Sequence, residues 1–310
     1  LDVRHPGVVK VAKLMLPVLL GLSITQLHAI LSRPFGSFLP EGSITYLDNA
    51  NKVMQMPMAI FAQALGVAIF PSLSAMAARG DMEGMRRHFS LGLRAIFFLT
   101  IPCSALLIVL AEPTIQLLFQ RGQWNAANTH ATATATIYYS LAIFAYSGAA
   151  LVGRGFYALQ NTITPMVVGT AVTVVYIALN FVLMGPLQHN GLALSMSIAG
   201  ILNLLALLVL YKRKVGDIRG GEIMTSFVKV TLASALCGLV AWGARVGMEA
   251  VLNAHRAQNG AVQLTNSGAL AQIVVAGALG LLAYLALVRV FRVPEAQFVM
   301  DAVMKKLRRR

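Results

Sequence analysis

The chain has 310 residues, 57% hydrophobic and only 12% charged, with a mean hydropathy of +0.72. A soluble domain carries about 25% charged residues, so this composition excludes an ordinary water-soluble globule and fits a surface that faces lipid. A net charge of +14 would suggest nucleic acid in a soluble protein; here it reads as topology, and no nucleic-acid partner is expected. The two cysteines, Cys103 and Cys237, lie in apolar runs and read as small buried hydrophobes rather than as a disulfide framework or a metal site.

A membrane-spanning helix needs about 20 mainly apolar residues. Eight runs qualify, at approximately 14–31, 44–73, 91–111, 131–151, 166–184, 192–210, 228–248 and 270–288. The chain opens on Leu1 with no short apolar stretch and cleavage site, so no signal peptide is read. That opening suggests a fragment, with one of two polypeptides as the alternative. The first run carries Pro17 and Gly21, with Gln26 and His28 late in it. The second is polar from Ser43 to Gln55 and strongly apolar only from Met56 to Phe70, with Pro57 and Gly66 inside. Pro102 falls in the third, Asn180 in the fifth, and Ser195, Ser197 and Asn203 in the sixth. Such prolines and glycines are tolerated because neighbouring helices re-satisfy the freed backbone groups. Single polar residues at this depth read as interhelical hydrogen bonds. The end, Val293 to Arg310, is amphipathic and basic, and reads as an anchor against anionic inner-leaflet lipid.

Basic residues give the orientation. With eight spans, the flanks on the side of the termini hold 19 Lys and Arg, Arg154 among them, and the opposite loops four: Arg33, Arg121, Arg245 and Arg256. Lys and Arg mark the cytoplasmic side, so both termini are expected in the cytoplasm. Lys52 and Arg94 are the two cations left inside spans.

The second run is the informative one. At 100° per residue, Thr45, Asp48, Asn51, Lys52 and Gln55 fall within about 120° of arc, making one helix face polar. An intramembrane cation costs several kcal/mol unless paired or solvated, so it is a functional-site hypothesis by default. Asp48, four residues before Lys52, is a candidate partner. A structural Asp48–Lys52 pair near the helix end competes with a water-filled cavity in which Lys52 attracts an anionic group such as a diphosphate. The arc is wider than one pair needs, which favours the cavity. Acidic residues number only 11, so a carboxylate-based proton or sodium path is poorly supported. No nucleophile elbow, phosphate-binding loop, metal-ligand spacing or paired carboxylates occur, and neither an enzyme nor a cofactor is expected.

Three blocks carry a resemblance. Asp48-Asn-Ala-Asn-Lys-Val-Met-Gln-Met-Pro57 runs into Ala-Ile-Phe-Ala-Gln-Ala-Leu-Gly-Val-Ala-Ile-Phe-Pro71-Ser-Leu-Ser; Gly155-Phe-Tyr-Ala-Leu-Gln-Asn-Thr-Ile-Thr-Pro165 follows; then Gly185-Pro-Leu-Gln-His-Asn-Gly-Leu-Ala-Leu-Ser195. In order and spacing they resemble the MurJ (MviN) family of lipid II flippases. The resemblance implies an all-α integral membrane fold of the MOP (multidrug/oligosaccharidyl-lipid/polysaccharide) superfamily, related to MATE transporters. This chain would supply helices seven to fourteen of fourteen: a carboxy-terminal lobe over 1–212, two extra helices over 213–292 forming a groove for a lipid tail, and a basic tail over 293–310. The missing partner would be the amino-terminal six-helix lobe.

The implied activity is movement of the undecaprenyl-diphosphate-linked peptidoglycan precursor (lipid II) across the bacterial inner membrane by alternating access, with the coupling ion open. The implied cavity residues are Lys52, Asp48, Asn51 and Gln55, with Gln26, Asn180 and Arg154 as further cavity or coupling candidates. Where the family has arginine and aspartate, this chain has Lys52 and Asn51, and Asn161 replaces an aspartate of the second block. Lysine keeps the charge but loses the two-pronged fork of a guanidinium. Another lipid-linked oligosaccharide, a drug, or a non-transporting scaffold for cell-wall enzymes are the alternative readings.

Overall fold

The computed structural model describes residues 38–253 and 266–296, and these are helical throughout, joined by short turns. The first described helix, α1 (Ser43–Pro57), starts after Gly42, whose φ of +91° is open to glycine. Pro57 has no N–H for the helical ladder and its ring crowds the preceding turn. The chain answers with a wider π-helical turn, Met58–Gln63, before regaining α geometry in α2 (Ala64–Arg79). α2 ends at Gly80, with φ of +72°.

Helix α3 (Met82–Val109) begins with Asp81, whose Oδ1 accepts from Gly84 N–H at 2.8 Å. It is the central post of the bundle: Met85, Phe89, Leu93 and Ile96 are fully buried on it, and α2, α6 and α9 pack around it. A short α4 (Ala111–Phe119) leads to α5 (Ala126–Ser140). Along α5, Thr132, Thr136 and Ser140 each donate a hydroxyl hydrogen to the carbonyl four residues earlier, at 2.8, 2.8 and 2.6 Å. Such back-bonding bends helices, and here the axis turns by 44° before α6 (Ile143–Ala158).

The last four helices form two hairpins, α7 (Ile163–Leu187) with α8 (His189–Val215) and α9 (Gly220–Asn253) with α10 (Asn266–Val290). The first hairpin turns at Gln188 (φ +49°), and a Cβ on Gly191 would lie 2.2 Å from the Leu183 carbonyl oxygen. Lipid supplies no hydrophobic force between helices, so close packing does the work. Tyr211 illustrates it: its ring lies 4.4 Å from that of Phe89, centroid to centroid, and over Gly155, where a Cβ would come within 2.9 Å.

Charges gather at the two ends. At one, Arg94 pairs with Glu222 and Glu295, Arg219 with Glu83, and Arg86 donates to the Val215 carbonyl. At the other, Arg245 bridges Glu112 and Glu249 and donates to the Val109 carbonyl.

Six continuous helical stretches are long and apolar enough to cross a membrane, and the bent α5–α6 pair makes a seventh. They match seven of the eight expected spans; the first, 14–31 with Gln26 and His28, lies outside the described residues. Three expectations need correction. Arg154 and Arg245, read as loop flanks, sit inside α6 and α9. Arg94, read as intramembrane, sits at the charged end and is paired. The segment read as a surface anchor starts inside the protein: Val293, Glu295 and Ala296 are buried, while its basic remainder lies outside the described residues.

Candidate functional site

The polar arc of α1 stands open. Thr45, Asp48, Lys52 and Gln55 are exposed and Asn51 is half-buried, whereas Leu47, Ala50, Val53 and Met54 on the other side are buried. The helix is thus amphipathic in the bundle as in the sequence. The Asp48–Lys52 ion pair does not form. Lys52 Nζ donates instead to Asn49 Oδ1 at 3.5 Å, a long contact. At i and i+4 an exposed pair stabilises a helix by only about 0.2–0.5 kcal/mol, too little to dictate one rotamer of a long side chain. Gln55 donates to Asn51 Oδ1, and the Asn51 amide reaches Met196 Sδ at 3.8 Å on α8. Asp48 and Asn51 both face the buried Tyr139 of α5.

Asn161, where the resembling block has an aspartate, acts locally: Oδ1 accepts from Thr164 N–H at 3.2 Å, at the start of α7. Asn180 is fully buried on α7, and its Oδ1 and Nδ2 have no hydrogen-bond partner among the described residues. Of the serines read as interhelical, Ser197 does donate across helices, to Tyr138 O at 2.7 Å. Ser195 instead bonds Gly191 O within its own helix.

Arg154 gives the least expected geometry. From α6 its Nη2 donates to Gln63 Oε1, at 2.6 Å, the last residue of the π-helical turn. Its Nη1 lies over Gly66, where a Cβ would fall 1.1 Å from it. Only glycine leaves room for that guanidinium. Gln63 was not singled out in the sequence, since the hydrogen bond spans 91 positions; a glycine one turn beyond a lone amide was the available signal.

Lys52 and Arg154 share a property. The chain has no acidic residue from 49 to 80 or from 113 to 216, and both cations donate to neutral amides, Lys52 to Asn49 and Arg154 to Gln63. Two cations within apolar spans therefore stand without an ion pair to a carboxylate among the described residues, Asp48 on the helix of Lys52 included, which suits an anionic ligand.

Comparison with known proteins places this geometry. Among solved structures, an inward-closed lipid II flippase MurJ superposes over 90% of this chain and 53% of its own, with a TM-score of 0.70 and 26% identity. An outward-facing multidrug MATE transporter of the MOP superfamily superposes over 90% and 62%, with a TM-score of 0.55 and 17% identity, which speaks to fold alone. The fold is thus that of the MOP-superfamily membrane transporters. The sequence profile described as "Lipid II flippase MurJ" matches residues 1–256, and the chain belongs to that family. The "Lipid II flippase MurJ" of Burkholderia cenocepacia is 31% identical over 240 residues, 77% of this chain and 46% of its own length. The "Probable lipid II flippase MurJ" of Vibrio cholerae is 30% identical over 201 residues, 65% and 38%. The chain therefore spans less than half the length of these curated relatives.

Proposed function

We propose that this chain forms one lobe of a lipid II flippase, with the polar face of α1 lining the transport cavity and Lys52 meeting the diphosphate of the precursor. The observation that carries the reading is the exposed Lys52 on a polar helix face, with no carboxylate paired to it among the described residues. Family membership supports the substrate class. Lipid-linked diphosphate is an anion with a long apolar tail, and a cation held beside lipid matches both parts.

The same reading takes in the remaining expectations. The protein sits in the bacterial inner membrane with its basic flanks on the cytoplasmic side, by the positive-inside rule. A second, six-helix lobe completes the cavity that the polar face of α1 borders. Helices α9 and α10, whose outward sides carry exposed Leu232, Leu239, Trp242 and Leu282, hold the polyprenyl tail. Transport proceeds by rocking of the lobes about the bound headgroup.

Growth of a flippase-depleted bacterium tests it. Expression of the protein in its native gene context should rescue growth. Lys52→Ala and Lys52→Glu should insert in the membrane but fail to rescue, and Lys52→Arg should rescue. Normal growth of Lys52→Ala at native expression would remove Lys52 from the cavity. No rescue by the inserted wild-type protein would redirect the search to other lipid-linked substrates.

A further inference from the structure

Arg154 is held in a way that a lipid-facing arginine is not. An arginine that merely snorkels extends along its own helix toward the water interface. Here the guanidinium is carried across to a neighbouring span, where Gln63 takes one nitrogen and Gly66 makes room for the other. Nη1 is shielded from solvent yet has no hydrogen-bond partner among the described residues. Among the described residues this fork donates to an amide oxygen and to no carboxylate, so the positive charge is unpaired and has donors to spare.

Its place along the span matters as much. Gln63 lies eleven positions beyond Lys52 on the same continuous stretch, Ser43–Arg79, which is roughly 15 Å of helix. The π-helical turn Met58–Gln63 separates the two. The span therefore carries a cation in each half, the second one borrowed from α6.

We propose that Arg154, seated by Gln63 over Gly66, is a second anion station for the diphosphate of a lipid-linked headgroup, on the cytoplasmic side of Lys52. This rests on the flippase reading and on the orientation given by the basic flanks. The headgroup meets the planar fork first, which suits two-pronged contact with phosphate oxygens. It then passes the π-helical turn to the point charge of Lys52. Gly66 serves the station by its lack of a side chain, and Gln63 by fixing the plane of the fork.

Binding of undecaprenyl diphosphate to the purified protein in detergent tests the station, with inorganic diphosphate as the second probe. Arg154→Gln should weaken lipid binding roughly tenfold or more, the scale of one charge-assisted contact. Gly66→Ala should do nearly as much while leaving every charge in place, because it displaces the guanidinium. Arg154→Lys should fall between wild type and Arg154→Gln. Monodisperse elution of each variant separates loss of the station from loss of the fold, and Arg154→Lys keeps the question answerable if Arg154→Gln does not fold. Wild-type affinity in both Arg154→Gln and Gly66→Ala would overturn the station. Equal affinity for inorganic diphosphate and the lipid would overturn its assignment to a lipid headgroup. Growth rescue by wild type alongside unchanged binding in the variants would reject the station alone; absence of both rescue and lipid binding in wild type would reject the flippase reading itself.

Discussion

The hydroxyl of Tyr284 on α10 donates at 2.6 Å to the carbonyl oxygen of Phe98 on α3. Phe98 is four residues before Pro102, which has no N–H to return to it. A proline inside a membrane helix thus finds its missing donor on a neighbouring span, as the apolar surroundings demand. Because Tyr284 is buried, Tyr284→Phe leaves that carbonyl without a donor and should cost about 1–3 kcal/mol. The measurement is a thermal melt in detergent, and Tyr284→Phe combined with Pro102→Ala should recover part of the loss. No recovery in the double variant would mean that the hydroxyl serves something other than the proline gap.

Arg94 and Glu295 should behave as one unit. They are 9% and 4% exposed, their Nε and Oε1 are 3.1 Å apart, and Ser226 Oγ donates to the other carboxylate oxygen at 3.1 Å. Removing one member of a buried pair strands the other, at about 3–5 kcal/mol. Glu295→Ala should therefore lower the melting temperature well beyond Glu222→Ala, since Glu222 is exposed and such contacts are worth about 1 kcal/mol or less. Equal effects of the two would show that Glu222 holds Arg94 as firmly as the buried Glu295 does.

Asp48→Asn should leave growth intact if Lys52 works without it, because no ion pair joins the two. Asp48→Asn failing to support growth, with the protein inserted, would restore Asp48 to the working face by a route other than pairing with Lys52.

Gly191 and Gly280 are places where backbones come close. A Cβ at Gly191 meets the Leu183 carbonyl oxygen at 2.2 Å, and one at Gly280 meets Leu106 at 2.8 Å and Ala241 at 3.0 Å. Overpacking costs about 1–3 kcal/mol where side chains yield, and backbone yields less. Gly191→Ala should accordingly destabilise more than Gly280→Ala in the same melt. The reverse order would mean that the α7–α8 hairpin opens more freely than the α9–α10 seam.

Much of this architecture was legible in the sequence, because lipid imposes long apolar runs and the described spans follow them. The polar face of α1 was legible for the same reason: Asp48, Asn51, Lys52 and Gln55 recur at helical spacing, and the bundle leaves that side open. What spacing could not decide was which neighbour Lys52 takes, since Asn49 at three residues and Asp48 at four lie equally close on a helix. Contacts between distant segments were beyond reach altogether. Arg154 with Gln63, and Arg94 with Glu295, depend on which helices meet, and the positive-inside count places such residues by span boundaries rather than by partners. Pro57 was legible as a break in the hydrogen-bond ladder, but its resolution as a wider turn was not, since proline specifies that the ladder breaks and not how it resumes.

That wider turn, Met58–Gln63, has a consequence for how this span tolerates change. A π-helical turn holds its extra residue as slack, so losing a single amino acid there would leave an ordinary α-helix. Each residue of a π turn advances the chain by less than the 100° of an α-helix, so the shortened α-helix would keep the two halves facing nearly as they do now. Deletion of one residue between 58 and 62 would therefore keep Lys52 and Gln63 in nearly their present relation, about 1.5 Å closer along the axis. A residue lost from the α-helical stretch between Lys52 and Pro57 has no such slack behind it and would turn the lysine by about 100°.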